Sequence, residues 1–391
     1  MKGSIKSYNI EDPSLGYLKE ILPKMPRYRL AYSGRAHPGM PLNLTFSVTN
    51  VCQSRCRTCS IWRLYREAPE KRQEELTTSE IEKIFRSMGH IYVFNISGGE
   101  PFLRSDLPEI IRLACTHLSP GIIHIPTNAI AAGRIFSQTE EILDDLKRRW
   151  PHVRLTVKPS LDHIGEKHDE IRGVPGNFEK VMTLFHRLKT LQAAHPNFHT
   201  ELGTVISRWN VRDIEEIAAF VTQLDTDSYR NEIAEQRSEM FNQDDPITPD
   251  PDQYEDAIHF FVAQIQENMG QRVLFQRITQ AFRLAYYGLA IDILRENRQV
   301  IPCYGGISNA HMTPYGDIWA CCTLGYAKPM GSLRDHGYDF STLWNSPQAT
   351  AVRQYIREGR CACPMANQAY SNILMHPPSL ARVIREIVRT G

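Results

Sequence analysis

The 391-residue chain has no apolar run of the roughly eighteen residues that a membrane-spanning helix needs. It also lacks a surplus of charge: 45 Lys+Arg against 44 Asp+Glu leave a net charge of +1. No whole-molecule field is therefore available to capture nucleic acid or an anionic surface, and no nucleic-acid partner is expected. The opening MKGSIKSYNIEDPS has two lysines but no apolar stretch, so it does not read as a secretory signal, and a cytoplasmic location follows. Repeats and low-complexity tracts are missing too. The hydrophobic content of 42% and charged content of 23% are those of an ordinary globular protein with room for one large domain and a smaller one.

Cysteine, by contrast, is plentiful, with nine in all. In a reducing compartment this argues for metal binding or catalysis over a disulfide framework. Cys52, Cys56 and Cys59 fall within eight residues, while Cys303, Cys321, Cys322, Cys361 and Cys363 lie in the last quarter. Cys115 stands alone in the helical-looking stretch Leu107–His117 and reads as a buried small hydrophobe. Three soft thiolates on one short loop suit an iron–sulfur cluster or zinc. A structural zinc normally takes four protein ligands, whereas a cube on three cysteines leaves one iron open to a small molecule.

The apolar pattern predicts strands at Leu44–Val48, Ile91–Ile96, Ile122–Ile125, Arg154–Val157, Thr200–Ile206 and Ser228–Ala234, alternating with helices. Six such units imply an α/β fold, an open partial (β/α)6 barrel over residues 42–240 with ligands at the C-terminal strand ends. Residues 1–41 read as an N-terminal arm: a short helix, Leu15–Leu22, then extended chain. Residues 241–300 read as an acidic, proline-rich surface loop or lid entry (Asn242–Tyr254) and a helical connection (Tyr254–Gln266 and Val273–Glu296). Residues 301–378 read as a separate cysteine-rich domain without a large core, held by metal, and 379–391 as a C-terminal helix.

Cys52-x3-Cys56-x2-Cys59 after the first strand, with Gly98-Gly99-Glu100-Pro101 after the second, resembles the radical SAM superfamily from roughly Leu42 to Ala234. The resemblance implies a [4Fe–4S] cluster on the three cysteines, whose free iron chelates S-adenosylmethionine (AdoMet). Reductive cleavage then releases a 5′-deoxyadenosyl radical that abstracts a substrate hydrogen. It further implies AdoMet contacts from Gly98, Gly99, Glu100 and Pro101, from Thr127 and Asn128, from Ser160 and Asp162, and from Ser207 and Asn210 at successive strand ends. Beyond Gly98–Pro101, the alternative is ordinary turn and capping residues. His163, His168, Asp169 and Arg172 are expected to shape the same site. Thr58 stands where the family often has an aromatic residue, with Trp62 three residues beyond Cys59.

Cys303-x12-Gly316-x4-Cys321 with the later Cys361-x-Cys363 resembles the SPASM/Twitch extension of these enzymes, over about Cys303–Asn372. This chain lacks the CxxCx5C segment of the two-cluster version. The resemblance implies one auxiliary [4Fe–4S] cluster on Cys303, Cys321, Cys361 and Cys363, with Cys322 as the alternative to one of them; four thiolates also suit zinc.

The polar segment carrying Tyr229, Glu232, Glu235 and Arg237 needs partners if buried, either a substrate or an internal ion network. The expected activity is hydrogen abstraction from a small-molecule, sugar or lipid-like substrate, with an electron donor such as flavodoxin or ferredoxin. Peptide modification is the alternative, disfavoured by the mere 40 or so residues before the first strand, too few for a recognition domain. A non-catalytic iron–sulfur or zinc scaffold is the alternative of another class. In the C-terminal SLARVIREIVRTG, Leu380, Val383, Ile384, Ile387 and Val388 share a helical face, for docking on the protein's own core or for peripheral contact with a membrane.

Overall fold

The computed structural model describes residues 13–270 and 274–389. The first twelve residues of the N-terminal arm, Val273 and the last two residues of the C-terminal helix lie outside them. Helix α1 (Pro13–Ile21) is followed not by extended chain but by a second helix, α2 (Met25–Tyr32). Pro26 sits in its first turn, where a missing N–H is tolerated, and Met25, Tyr28 and Ala31 form a buried face.

Six parallel strands then pair in chain order: β1 (Asn43–Ser47), β2 (Val93–Ser97), β3 (Ile122–Thr127), β4 (Arg154–Pro159), β5 (Phe198–Ile206) and β6 (Ser228–Ile233). A single turn, α3 (Leu64–Glu67), follows the cysteine loop. The crossovers carry α4 (Thr78–Ser87), α5 (Leu107–His117), α6 (Ala132–Arg149), α7 (Gly165–Arg172), α8 (Asn177–Leu191) and α9 (Ile214–Gln223). Alternation along the strands sorts the side chains. Leu44, Phe46, Phe94, Ile96, Ile123 and Ile125 are buried in the core. The intervening positions are polar, and the register aligns Thr45, Asn95, His124, Thr156 and His199 in one row across the sheet.

After β6 the chain forms α10 (Pro251–Met269) and α11 (Leu274–Glu296), which pack on each other. The C-terminal region does not stand apart from the barrel's sheet. Strand β7 (Asn309–Met312) pairs in parallel with β1, and β8 (Asp317–Trp319) and β9 (Gly331–Ser332) continue antiparallel, giving one nine-stranded sheet. Met312, Ile318, Phe340 and Trp344 share a single buried cluster with Leu44 and Phe94. The physical reason is the free edge of β1, whose backbone groups are satisfied by β7. Helices α12 (Phe340–Trp344), α13 (Pro347–Arg357), α14 (Ala366–Met375) and α15 (Pro377–Arg389) complete the chain. Helix α15 docks on α11 and α14. Its apolar face is split: Val383 is buried, while Ile384 and Val388 are exposed. No helix among the described residues is long and apolar enough to cross a membrane.

Candidate functional site

The loop after β1 carries Cys52, Cys56 and Cys59, all partly exposed. Its shape is imposed from outside. The N–H groups of Arg55 and Arg57 donate to the carbonyls of Arg172 and Ile171 at 3.1 and 2.8 Å, and Ser54 Oγ donates to the Arg172 carbonyl at 3.0 Å. Gly173 is needed for this contact: its φ is +66°, and a Cβ there would stand 2.3 Å from the Arg55 carbonyl oxygen. Burial, and then the charge of Cys56, push the Cys52 thiol up to about 12 and that of Cys59 higher still. Such thiols stay protonated unless a metal takes them. Three soft donors on one loop therefore fit an iron–sulfur cluster with one iron open.

Gly98 and Gly99 lie against the start of this loop. A Cβ on Gly98 would meet the Thr49 carbonyl at 2.2 Å and one on Gly99 the Val51 carbonyl at 2.3 Å, so no side chain fits. The Gly99 and Glu100 N–H groups donate to those two carbonyls at 2.7 and 2.8 Å. Glu100 is fully buried and works inward: its carboxylate accepts from Thr127 Oγ1 (2.9 Å), the Asn128 N–H (2.7 Å) and the Phe102 N–H (3.3 Å). Burial pushes its pKa up to about 7 against those hydrogen bonds. Pro101 opens the short turn after it. The Asn128 amide points at the cysteine loop, 3.7 Å from Cys52 Sγ.

The remaining strand-end residues divide into those with free capacity and those without. Ser160 bridges to Gly203 beside the β4–β5 opening. Asp162 accepts from Arg172 at 3.0 Å and from the Val205 N–H at 2.9 Å. The Asn210 amide is saturated: it accepts from the Ser207 N–H and hydroxyl and donates to the carbonyls of Asp162 and Val205. Its geometry is that of a scaffold for the β5 end. His163 pairs with Asp213 at 2.9 Å, and Asp169 accepts from the N–H groups of Gly176 and Phe178 at the start of α8.

Beside α11 and α14, Cys303, Cys361 and Cys363 line one cavity with Gln299, Met365 and Asn372. Burial, reinforced by the charges of Cys303 and Cys361, raises the Cys321 thiol to about 12 against the pull of the Leu324 N–H. These four thiols form one set suited to a closed cluster. Cys322 is buried next to Cys321, its sulfur 3.1 Å from Met365 Sδ.

Of the four substrate candidates, Tyr229 is misplaced by the sequence reading. Strand alternation turns it toward the helices, where it packs on Phe261 with ring centres 5.9 Å apart and donates to Thr204 Oγ1 at 2.7 Å. Glu232 lies on the opposite face, 3.6 Å from Lys158, whose charge holds its pKa down. Glu235 and Arg237 sit 3.5 Å apart, and burial pushes the Glu235 pKa up to about 7. Glu239 and His311, which the sequence reading passed over, are buried beside them. No local signal marked either residue. The acidic segment after β6 is also less of a free loop than expected: Asn242 is buried and donates to the Thr58 carbonyl at 2.7 Å.

A parallel barrel of six strands, with three thiols beside a glycine turn at its strand ends and four more in the C-terminal region, defines an enzyme built for two iron–sulfur centres. Residues 46–221 match the radical SAM superfamily and residues 303–364 the SPASM iron–sulfur cluster-binding domain. The chain belongs to the radical SAM superfamily, with a SPASM domain, and its cofactors are a [4Fe–4S] cluster, AdoMet and an auxiliary cluster. When bound, the reduced cluster and AdoMet supply a 5′-deoxyadenosyl radical.

The chain is 27% identical to Fe-coproporphyrin III synthase of Methanosarcina barkeri over 198 residues, 50% of this chain and 43% of that one. It is 22% identical to the antilisterial bacteriocin subtilosin biosynthesis protein AlbA of Bacillus subtilis over 86% of this chain and 68% of that one. It thus spans less than half of the first relative and about two thirds of the second. The structure of Streptococcus suis SuiB bound to the precursor peptide SuiA shares the fold, with a TM-score of 0.55 at 14% identity, over 90% of this chain and 75% of that one.

Proposed function

We propose that this radical SAM enzyme modifies a peptide. One observation in the structure supports this reading above others: an open groove of about 470 Å³ beside the cysteine loop, lined by Lys71, Glu74, Phe241, Tyr315, Tyr326 and Arg334. Phe241 and Tyr326 stack at its side with ring centres 5.4 Å apart. Phe241 is tied to the cysteine loop on both flanks, because the Met240 carbonyl accepts from the Ser60 N–H and Asn242 donates to the Thr58 carbonyl. Aromatic faces with charges of both signs suit an extended chain of mixed side chains better than a uniform apolar ligand. The likeness to AlbA and to peptide-bound SuiB supports the same reading.

In this reading Cys52, Cys56 and Cys59 hold the AdoMet cluster, with Gly98 and Gly99 exposing backbone to AdoMet. Glu100, Thr127, Asp162 and Asn210 brace that site. Cys303, Cys321, Cys361 and Cys363 hold the auxiliary cluster. The electron donor is a flavodoxin or ferredoxin, and the enzyme works in the cytoplasm. The small-molecule reading is second; the likeness to Fe-coproporphyrin III synthase favours it.

The test uses anaerobic, reduced enzyme with AdoMet and a peptide encoded beside its gene. The expected result is peptide-dependent 5′-deoxyadenosine and a mass change in the peptide. If a porphyrin or sugar stimulates 5′-deoxyadenosine release while no such peptide does, the peptide reading is wrong.

A further inference from the structure

Three buried side chains with metal-binding atoms converge outside both cysteine sets. Glu239, His311 and Cys322 are 6%, 5% and 5% exposed. Their carboxylate oxygen, ring nitrogen and sulfur all lie within 4.8 Å of one another. They arrive from different parts of the fold: Glu239 from the turn after β6, His311 from β7, and Cys322 from just past β8. The pairing of β7 with β1, which sequence does not reveal, is what brings His311 there.

Neighbouring groups hold the ligands in place. Ser47, the last residue of β1, donates to Glu239 at 2.8 Å and lies 2.9 Å from His311 Nε2. That nitrogen is itself 3.2 Å from Glu239. Trp319 packs on the imidazole with ring centres 5.2 Å apart. Cys322 fits least well into an internal hydrogen-bond network, because its partner is the thioether of Met365, a weak acceptor. A carboxylate, an imidazole and a thiol thus share one dry pocket. Arg237 is near the carboxylate and the thiol but is shared with Glu235 at 3.5 Å. One oxygen, one nitrogen and one sulfur donor form the mixed set that a borderline divalent ion prefers.

We propose that Glu239, His311 and Cys322 bind a single divalent metal ion of the zinc class, distinct from both iron–sulfur clusters. Three protein ligands leave a fourth position for water or a substrate atom, the pattern of catalytic rather than structural zinc. The location suits that role. Glu239 precedes Met240, whose carbonyl accepts from the Ser60 N–H next to Cys59 at 2.9 Å, and Cys322 adjoins Cys321 of the second set. The proposal does not depend on the substrate class.

The test is metal and sulfide analysis of the anaerobically purified, cluster-loaded enzyme after exposure to Zn²⁺ and desalting. About one zinc per chain is expected beyond the iron, with one sulfur among its neighbours in zinc-edge X-ray absorption. His311→Ala and Cys322→Ser should each lose the zinc while acid-labile sulfide stays at the wild-type level. Glu239→Gln, which keeps the shape and a hydrogen bond, should weaken binding at least tenfold and covers the case in which the other variants misfold. Three results overturn the proposal: no zinc in the wild type, zinc retained in His311→Ala and Cys322→Ser alike, or sulfide lost in Cys322→Ser. The last would make Cys322 a cluster ligand.

Discussion

At the scale of single residues, most polar groups around the cysteine loop act on each other before they act on any ligand. His168 shows how tightly. Its Nδ1 accepts the Asp162 N–H at 3.1 Å, and its Nε2 lies 3.1 Å from the Asn177 amide oxygen, so the neutral ring fits and a proton on Nδ1 would face an N–H. Burial, reinforced by the Arg172 charge, lowers its pKa to about 4. A histidine depressed in this way contributes stability that is present above its unfolded pKa near 6.5 and is lost as pH falls toward 4. Unfolding free energies from denaturant melts at pH 7.5 and 5.5 should therefore differ by about 1 kcal/mol, and His168→Gln should flatten that difference. The cysteines make a sharper demand. Cys52→Ala, Cys56→Ala and Cys59→Ala should each abolish AdoMet cleavage while the auxiliary iron remains, which electron paramagnetic resonance of the reduced protein can check. Cys363→Ala should do the reverse and lower the iron count from about eight toward about four.

Among the elements, α4 is the clearest link between sequence and assembly. Thr77 and Glu80 form a reciprocal capping box at its start. Glu80 also accepts from Tyr338 at 2.8 Å and pairs with Arg334 at 3.1 Å, both from the chain beyond β9. Burial raises the Glu80 pKa, but its hydrogen bonds outweigh this and bring it to about 2. Thr77→Ala should cost about 1 kcal/mol in chemical denaturation. Glu80→Gln should do similar damage and also loosen the C-terminal region, seen as faster amide exchange at residues 334–340. A Thr77→Ala variant as stable as the wild type would show that packing of Ile81, Ile84 and Phe85, not the cap, fixes this helix.

For the whole molecule, the decisive feature is that barrel and C-terminal region share one sheet. Removing residues 301–391 would strip β7 from β1 and uncover Phe46 and Phe94 along with Met312's place beside them. The expected outcome is an insoluble fragment, because an open hydrophobic edge pairs with other copies. A soluble, monomeric fragment with native circular dichroism would show that the barrel closes on its own. The same continuity brings Glu239 and His311, both buried, within reach of Cys322 beside the second thiol set.

The six parallel strands alternating with helices were legible in the sequence, because they depend on local periodicity. So was the assignment of Cys115 to the core, where it is buried. Tyr229 was misread because a period of two tells which residues share a face but not which face looks inward. The second N-terminal helix was missed because its prolines pointed to extended chain. Glu239, His311 and the placement of Cys322 beside them were beyond sequence altogether. They depend on β7 adding to β1 across more than 260 residues of chain, a pairing set by the free hydrogen-bonding edge of a strand and the core it covers. Sequence determined that three thiols stand on one short loop after the first strand. Tertiary structure decided what stands next to it, since packing alone brings distant donors within reach of one another.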